Sequence, residues 1–168
     1  MKTLTIVRHA KSSWDNHSLN DHDRPLNDRG FRAAPLVGKA LKERDVSPDV
    51  ILSSTALRAW TTAKIIAGEI GYPEEKIITT EEIYLASTRT LLNLLTREID
   101  EAHESAMIFG HNPGFHDLTN TLLEDEYVES FPTCAVARIR LPIDHWGEIS
   151  GGEGELVEHF TPKSLKSG

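Results

Sequence analysis

"LTIVRHAKSSW", residues 4–14, drives the apolar side chains Leu4, Ile6 and Val7 straight into Arg8, His9 and Lys11. A run this short and this rich in branched residues reads as a buried β-strand. The cations at its end therefore arrive together at one edge of a sheet, where polar groups are exposed enough to be used.

Working outward, "DVILSS" (49–54), "IITT" (77–80) and "SAMIFGH" (105–111) share the texture of buried strands. Between them lie helical segments. "FRAAPLVGKALKERD" (31–45) sets Leu36, Ala40 and Leu41 on one face. "ALRAWTTAKIIAGEIG" (56–71) does so with Trp60, Ala63, Ile66 and Ile70, and stops at Gly71. "TRTLLNLLTREID" (88–100) and "GFHDLTNTLLE" (114–124) complete the set. Strands alternating with helices of this length imply βαβ crossovers, hence an α/β three-layer sandwich with a mostly parallel central sheet flanked by helices. After residue 130 the pattern changes: "CAVARIRL" (134–141), a glycine-rich "GEISGGEGE" (147–155) and "LVEHF" (156–160) read as a terminal hairpin-like pair, one strand at an edge. Pro35 predicts a late start for the first helix, because an interior proline kinks a helix.

The 168 residues, 39% hydrophobic and 26% charged, suit one globular domain spanning 1–168. A formal charge of −8 argues against a nucleic-acid partner, since duplex affinity depends on cations that neutralise phosphates. The lone Cys134 excludes an internal disulfide framework and is expected to be a buried hydrophobe. His17, His22, His116 and His145 lack the spacing of a zinc site, so no metal or other cofactor is expected. No basic leader precedes an apolar core, and no run reaches the roughly 18 apolar residues of a membrane span. The expectation is a monomeric cytoplasmic protein without a membrane partner.

In an open parallel sheet, ligands collect beyond the carboxyl ends of the strands. The first strand ends in Arg8-His9, the second in Ser53-Ser54 ahead of a helix carrying Arg58, and the fourth in Gly110-His111-Asn112. Two arginines and two histidines would therefore meet on one rim. Guanidinium forks match phosphate oxygens, and the helix beginning near Thr55 aims free N–H groups at the same place. A neutral imidazole in that field attacks phosphorus and divides one hard displacement into two easier steps. A lone Arg-His pair would more simply be a solvated strand end. Arg24 could equally set a turn in "RPLNDRG" (24–30), and Lys11 and Ser12 could be plain loop residues.

"RHAKSSWD" (8–15), "RPLNDRG" (24–30), "LSSTALRAWTTA" (52–63) and "IFGHNPG" (108–114) resemble, in order and spacing, the signature of the histidine phosphatase superfamily. Within it they look most like the phosphohistidine phosphatases of the SixA type. The resemblance implies a phosphoglycerate mutase-like fold, with His9 the phosphorylated nucleophile, Arg8 and Arg58 phosphate clamps and His111 the fourth member of the pocket. Ser12, Lys11, Arg24 and Asn112 are candidate substrate-binding residues.

Departures from the family pattern point the same way. Ala10 replaces the usual glycine after the nucleophile, a change tolerated unless that backbone needs a positive φ. Lys11 and Asp15 stand where the mutase branch carries other residues. His111-Asn112 replaces the His-Asp of acid phosphatases, so the leaving-group acid is sought in "TTEEIYLAS" (79–87), with Glu82 the candidate and Glu81 behind it. A phosphoramidate needs less acid assistance than an ester, because its leaving nitrogen takes up a proton more readily than an alkoxide does. The leading reading is a metal-independent phosphatase that acts through phospho-His9 on phosphohistidine in a protein. Small phosphorylated molecules, a mutase-like phosphotransferase and a phosphate-binding module are the alternatives, and a metallo-hydrolase finds little support in the ligand inventory.

Overall fold

The computed structural model describes residues 1–166. Its centre is a sheet of β1 (Lys2–Arg8), β2 (Val50–Ser54), β3 (Ile78–Thr80), β4 (Ser105–Gly110), β5 (Val136–Leu141) and β6 (Glu155–Phe160), ordered β3-β2-β4-β1-β5-β6. The first four in that order run parallel. β5 lies antiparallel to β1, and β6, antiparallel to β5, forms the edge as the hairpin-like reading expects. The helices are α1 (Asp28–Glu43), α2 (Leu57–Ile70), α3 (Thr88–Glu98), α4 (Gly114–Leu122) and α5 (Pro162–Lys166).

The strands are apolar on both faces because helices cover both. In β4, Ala106 and Ile108 enter one core with Leu91 and Leu94 of α3 and Phe115 and Leu118 of α4. Met107 and Phe109 enter the other, with Val37 of α1, Ile66 of α2 and Cys134. Burying each larger side chain contributes about 1.5–3 kcal/mol, so the two cores dominate the fold's stabilisation. The result is the expected α/β three-layer sandwich. No helix among the described residues is long and apolar enough to cross a membrane.

Three expectations need correction. The first helix starts early, at Asp28, and carries Pro35 in its interior. The donor that Pro35 lacks would have met the carbonyl of Phe31, a residue 50% exposed whose carbonyl can turn to water. Asn27 starts the helix instead, its side chain accepting from the Gly30 N–H at 2.9 Å. The segment 77–80 yields only a three-residue edge strand with Ile78 39% exposed, not a buried one. Leu36 is only half-buried, and Val37, Ala40 and Leu41 carry that helix face. The second helix does end as read, at Gly71 in the left-handed conformation with φ 80°.

One close approach ties α1 to the loop that follows β1. A Cβ added at Gly30 would lie 2.2 Å from the Lys11 carbonyl oxygen, backbone against backbone. Gly30→Ala is therefore expected to destabilise the protein by about 2 kcal/mol, lowering Tm by about 4–8 °C in calorimetry. An unchanged Tm would show that the loop yields.

Candidate active site

β2, β4 and β1 are neighbours running in the same direction, so their carboxyl ends share one rim. His9 is pinned there by its backbone. Its N–H donates to the Gly110 carbonyl at 3.0 Å, and its carbonyl accepts from the Cys134 N–H at 2.9 Å. Ala10 follows, fully buried and outside the positive-φ region, its N–H donating to Thr62 Oγ1 at 3.0 Å. The replacement of glycine is thus accommodated without strain. Thr62 in turn donates to the Arg58 carbonyl at 2.7 Å, joining α2 to the loop that follows β1.

The His9 ring has a defined tautomer. Nδ1 lies 2.7 Å from the Ala10 carbonyl oxygen, which can only accept, so Nδ1 carries the hydrogen and Nε2 keeps its lone pair. Burial lowers the ring's pKa from 6.5 to about 3; the Ala10 bond opposes this, and the charges of Arg58, Arg8 and Arg24 add to it. The imidazole is neutral at physiological pH, the state a nucleophile requires.

His111 packs beside it, the ring centroids 5.2 Å apart. Ser54 Oγ accepts from the Ala56 N–H at 3.1 Å and sits 2.8 Å from His111 Nε2. The arrangement satisfying both groups has Ser54 donating to Nε2, which places the ring hydrogen on Nδ1. His111 Nδ1, Arg8 Nε and Arg58 Nε are buried and have no partner among the described residues. Three N–H donors with spare capacity, two of them on guanidiniums, suit the oxygens of a tetrahedral anion. Burial, reinforced by His9, Arg58 and Arg8, lowers the His111 pKa to about 3.

A carboxylate that the sequence reading missed organises the cations. Asp21 accepts from Arg58 Nη2 at 2.9 Å, from Arg24 Nε at 3.1 Å and from the Tyr84 hydroxyl. Its main-chain oxygen accepts from Arg58 Nη1 at 2.6 Å. Burial alone would raise its pKa, but the bonds from Tyr84, Arg58 and Arg24 hold the carboxyl well below the usual carboxylate range. Arg24 also donates to Ser12 Oγ at 2.8 Å and stacks under Trp14, its guanidinium carbon 3.5 Å from the ring centre. No local pattern marks Asp21, because its partners Arg58 and Tyr84 are 37 and 63 residues away.

A cavity of about 240 Å³ is lined by Arg8, His9, Lys11, Ser12, Arg24, Arg58, His111 and Asn112, together with Trp14, Leu85 and Thr133. Eight residues expected from sequence thus converge. Glu82 does not join them. Its carboxylate takes two bonds of 2.7 Å from Arg97 Nη2 in a half-exposed ion pair and does not line the cavity. The short turn over Glu81–Ile83 buries Ile83, and the two glutamates before it stay in solvent.

Comparison with known proteins fits this geometry. The model of the histidine phosphatase superfamily (branch 1) matches residues 4–118. An uncharacterized protein of Mycobacterium tuberculosis is 31% identical over 166 residues, covering 94% of this chain and 100% of that one. A 2,3-bisphosphoglycerate-dependent phosphoglycerate mutase of Beijerinckia indica is 34% identical over 75 residues, 44% of this chain and 36% of the mutase. The fold superposes on the protein histidine phosphatase SixA complexed with tungstate at a TM-score of 0.82, with 23% identity over 97% of this chain and 99% of that one. The chain belongs to the histidine phosphatase superfamily, branch 1. It is a phosphatase by that membership.

The electrostatics of the site fix two expected outcomes. Both histidines have folded pKa values below their unfolded 6.5, so the unfolded chain binds protons that the native state refuses. Stability is fully present above pH 6.5 and is expected to fall progressively toward about pH 3. By ¹⁵N NMR, both rings should stay neutral from pH 8 to about pH 4.5, and a midpoint near 6.5 for His9 would contradict the site described. Asp21→Asn should lower kcat/KM for a phosphorylated substrate by about tenfold by loosening Arg58, whereas Glu82→Gln should stay within about twofold of wild type. Equal losses in steady-state kinetics would reverse these assignments.

Proposed function

We propose that the protein is a metal-independent phosphohistidine phosphatase working in the cytoplasm on phosphorylated protein. The observation carrying this reading is a cavity that gathers a neutral nucleophile and three spare donors but no carboxylic acid among its lining residues. Asp21, the carboxylate beside it, is held ionised and fully engaged. A site without an acid discriminates by leaving group. An alkoxide leaves poorly without a proton, whereas an imidazole nitrogen takes one up readily from water.

In the first step His9 Nε2 attacks phosphorus and the substrate's P–N bond breaks. The phosphoryl group moves to His9, and the freed imidazole takes a proton from solvent. Arg8 and Arg58 offset the charge spread over the equatorial oxygens, and His111 Nδ1 donates to one of them. In the second step water attacks phosphorus, the P–Nε2 bond breaks, and inorganic phosphate and neutral His9 result. Asn112 adds a feature suited to this substrate. Its Nδ2 donates to the Phe131 carbonyl at 2.8 Å, which leaves the buried Oδ1 as an acceptor. A phosphohistidine ring has an N–H to give it when its free nitrogen is protonated, the form in which the ring also leaves most readily. No three His, Cys, Asp or Glu side chains among the described residues stand close enough to hold a metal ion.

His9→Ala is expected to reduce turnover by on the order of 10³ or more, with wild-type activity unaffected by excess chelator. Quenched enzyme should carry acid-labile, base-stable phosphate, and a phosphohistidine peptide should be hydrolysed faster than common sugar phosphates. Preference for the sugar phosphates would overturn the substrate assignment while leaving the nucleophile in place.

A further inference from the structure

Beside the catalytic cavity lies a second, larger groove of about 480 Å³. Lys11 and Thr133 line both, so the two adjoin. Lys11, Arg29, Arg32, Lys163 and Lys166 line the groove, five of the chain's 18 lysines and arginines, in a protein whose net charge is −8. No carboxylate lines it among the described residues. Arg29 and Arg32 project from the first turns of α1, and Lys163 and Lys166 belong to α5, which packs against α1. Each of these five cations is solvent-exposed. The side chains of Lys11, Arg29 and Arg32 make no ion pair with any described carboxylate.

Elsewhere Arg24, Arg44, Arg58, Arg97, Arg138 and Arg140 each pair with a carboxylate that lowers the local potential. In the groove, five cations from a loop, α1 and α5 gather beside the cavity that holds His9. The phosphoryl group itself is already matched by Arg8, Arg58 and His111, so the groove's charge serves whatever carries that group. Five cations on a loop and two helices span more than one extra phosphate would use, and the groove is about twice the volume of the cavity that takes the phosphoryl group. Complementary charge across such a surface raises encounter rate and selects partners.

We propose that this groove docks an acidic segment of the phosphoprotein substrate, running from Lys11 at the cavity mouth along α1 to α5. The inference rests on the phosphohistidine-protein reading and adds the character of the sequence around the phosphorylated histidine. Acidic neighbours on one side of that residue lie in the groove as the phosphoryl group enters the cavity. Basic neighbours are repelled, so the groove sorts phosphohistidine proteins by local charge.

The test uses two synthetic peptides, each with one phosphohistidine, flanked on one side by a run of glutamates or of serines. Wild-type enzyme should show kcat/KM about tenfold higher for the glutamate peptide at low salt, with the preference vanishing at high salt and in the R29E/R32E double variant. Hydrolysis of phosphoimidazole, which cannot reach the groove, should be unchanged by the double variant. Both new glutamates lie near the N-terminus of α1, where negative charge favours a helix, so folding is retained and circular dichroism confirms it. In parallel, a fluorescein-labelled oligoglutamate should bind wild type about tenfold more tightly than R29E/R32E by anisotropy. Equal hydrolysis of the two peptides, or oligoglutamate binding indifferent to R29E/R32E, overturns the docking proposal. Inhibition by tripolyphosphate without oligoglutamate binding overturns it in favour of a small polyphosphate ligand. If neither peptide is hydrolysed while oligoglutamate still binds through Arg29 and Arg32, the phosphohistidine reading fails and the docking of an acidic segment in the basic groove stands.

Discussion

Three parallel strands side by side constrain everything else in this molecule. β2, β4 and β1 end at one level, and the chain leaves each of them with a side chain suited to phosphoryl chemistry: Ser54, His111 and His9. A parallel ladder resists sliding, because a one-residue slip would exchange Ile6, Ile108 and Leu52 with the residues packed in the opposite core and turn the site residues with them. The packing that stabilises the sheet is therefore the same packing that sets the distance between the two imidazoles. Function is positioned by the cores that α1 and α2, and α3 and α4, close over the two faces.

Within that frame the electrostatics are settled by a few directional bonds. His9 is kept neutral by burial among cations, and a single carbonyl decides which of its nitrogens can attack. Arg58 would be a mobile charge without Asp21, which grips two of its nitrogens and leaves Nε without a partner among the described residues. Tyr84 completes this grip and packs edge-on against His111, the ring centroids 5.3 Å apart. His9, Arg58 and His111 are thus each held by a directional bond with a neighbouring group. Such support limits the reorganisation needed when charge develops in the transition state.

Much of this is legible in the chain alone. Period and composition mark β1, β2 and β4, and their terminal residues announce the site, because a buried strand that ends on cations must deliver them to a solvent-facing rim. Pro35 misleads because helix propensity is a local quantity, and the tertiary contacts of Ala34, Val37 and Leu41 outweigh one missing hydrogen bond. The segment 77–80 misleads because apolar content cannot tell an edge strand from a central one. Glu82 misleads for a related reason: its position in the chain is near the rim, but which way a short turn faces depends on the packing of Ile83. Asp21 carries no signal at all, since an aspartate in a polar loop looks like any other until its partners are brought to it.

By itself, the amino-acid sequence determined the layered α/β architecture and the meeting of His9, Arg8, Arg58 and His111 at one rim, because hydrophobic periodicity and strand-end chemistry are local properties written along the chain. Only the tertiary structure decided the His9 tautomer, the role of Asp21, the exclusion of Glu82 and the basic groove shared by α1 and α5. Each of these depends on the direction of a hydrogen bond or the distance between residues far apart in the chain, and direction and distance exist only once the backbone is closed in space.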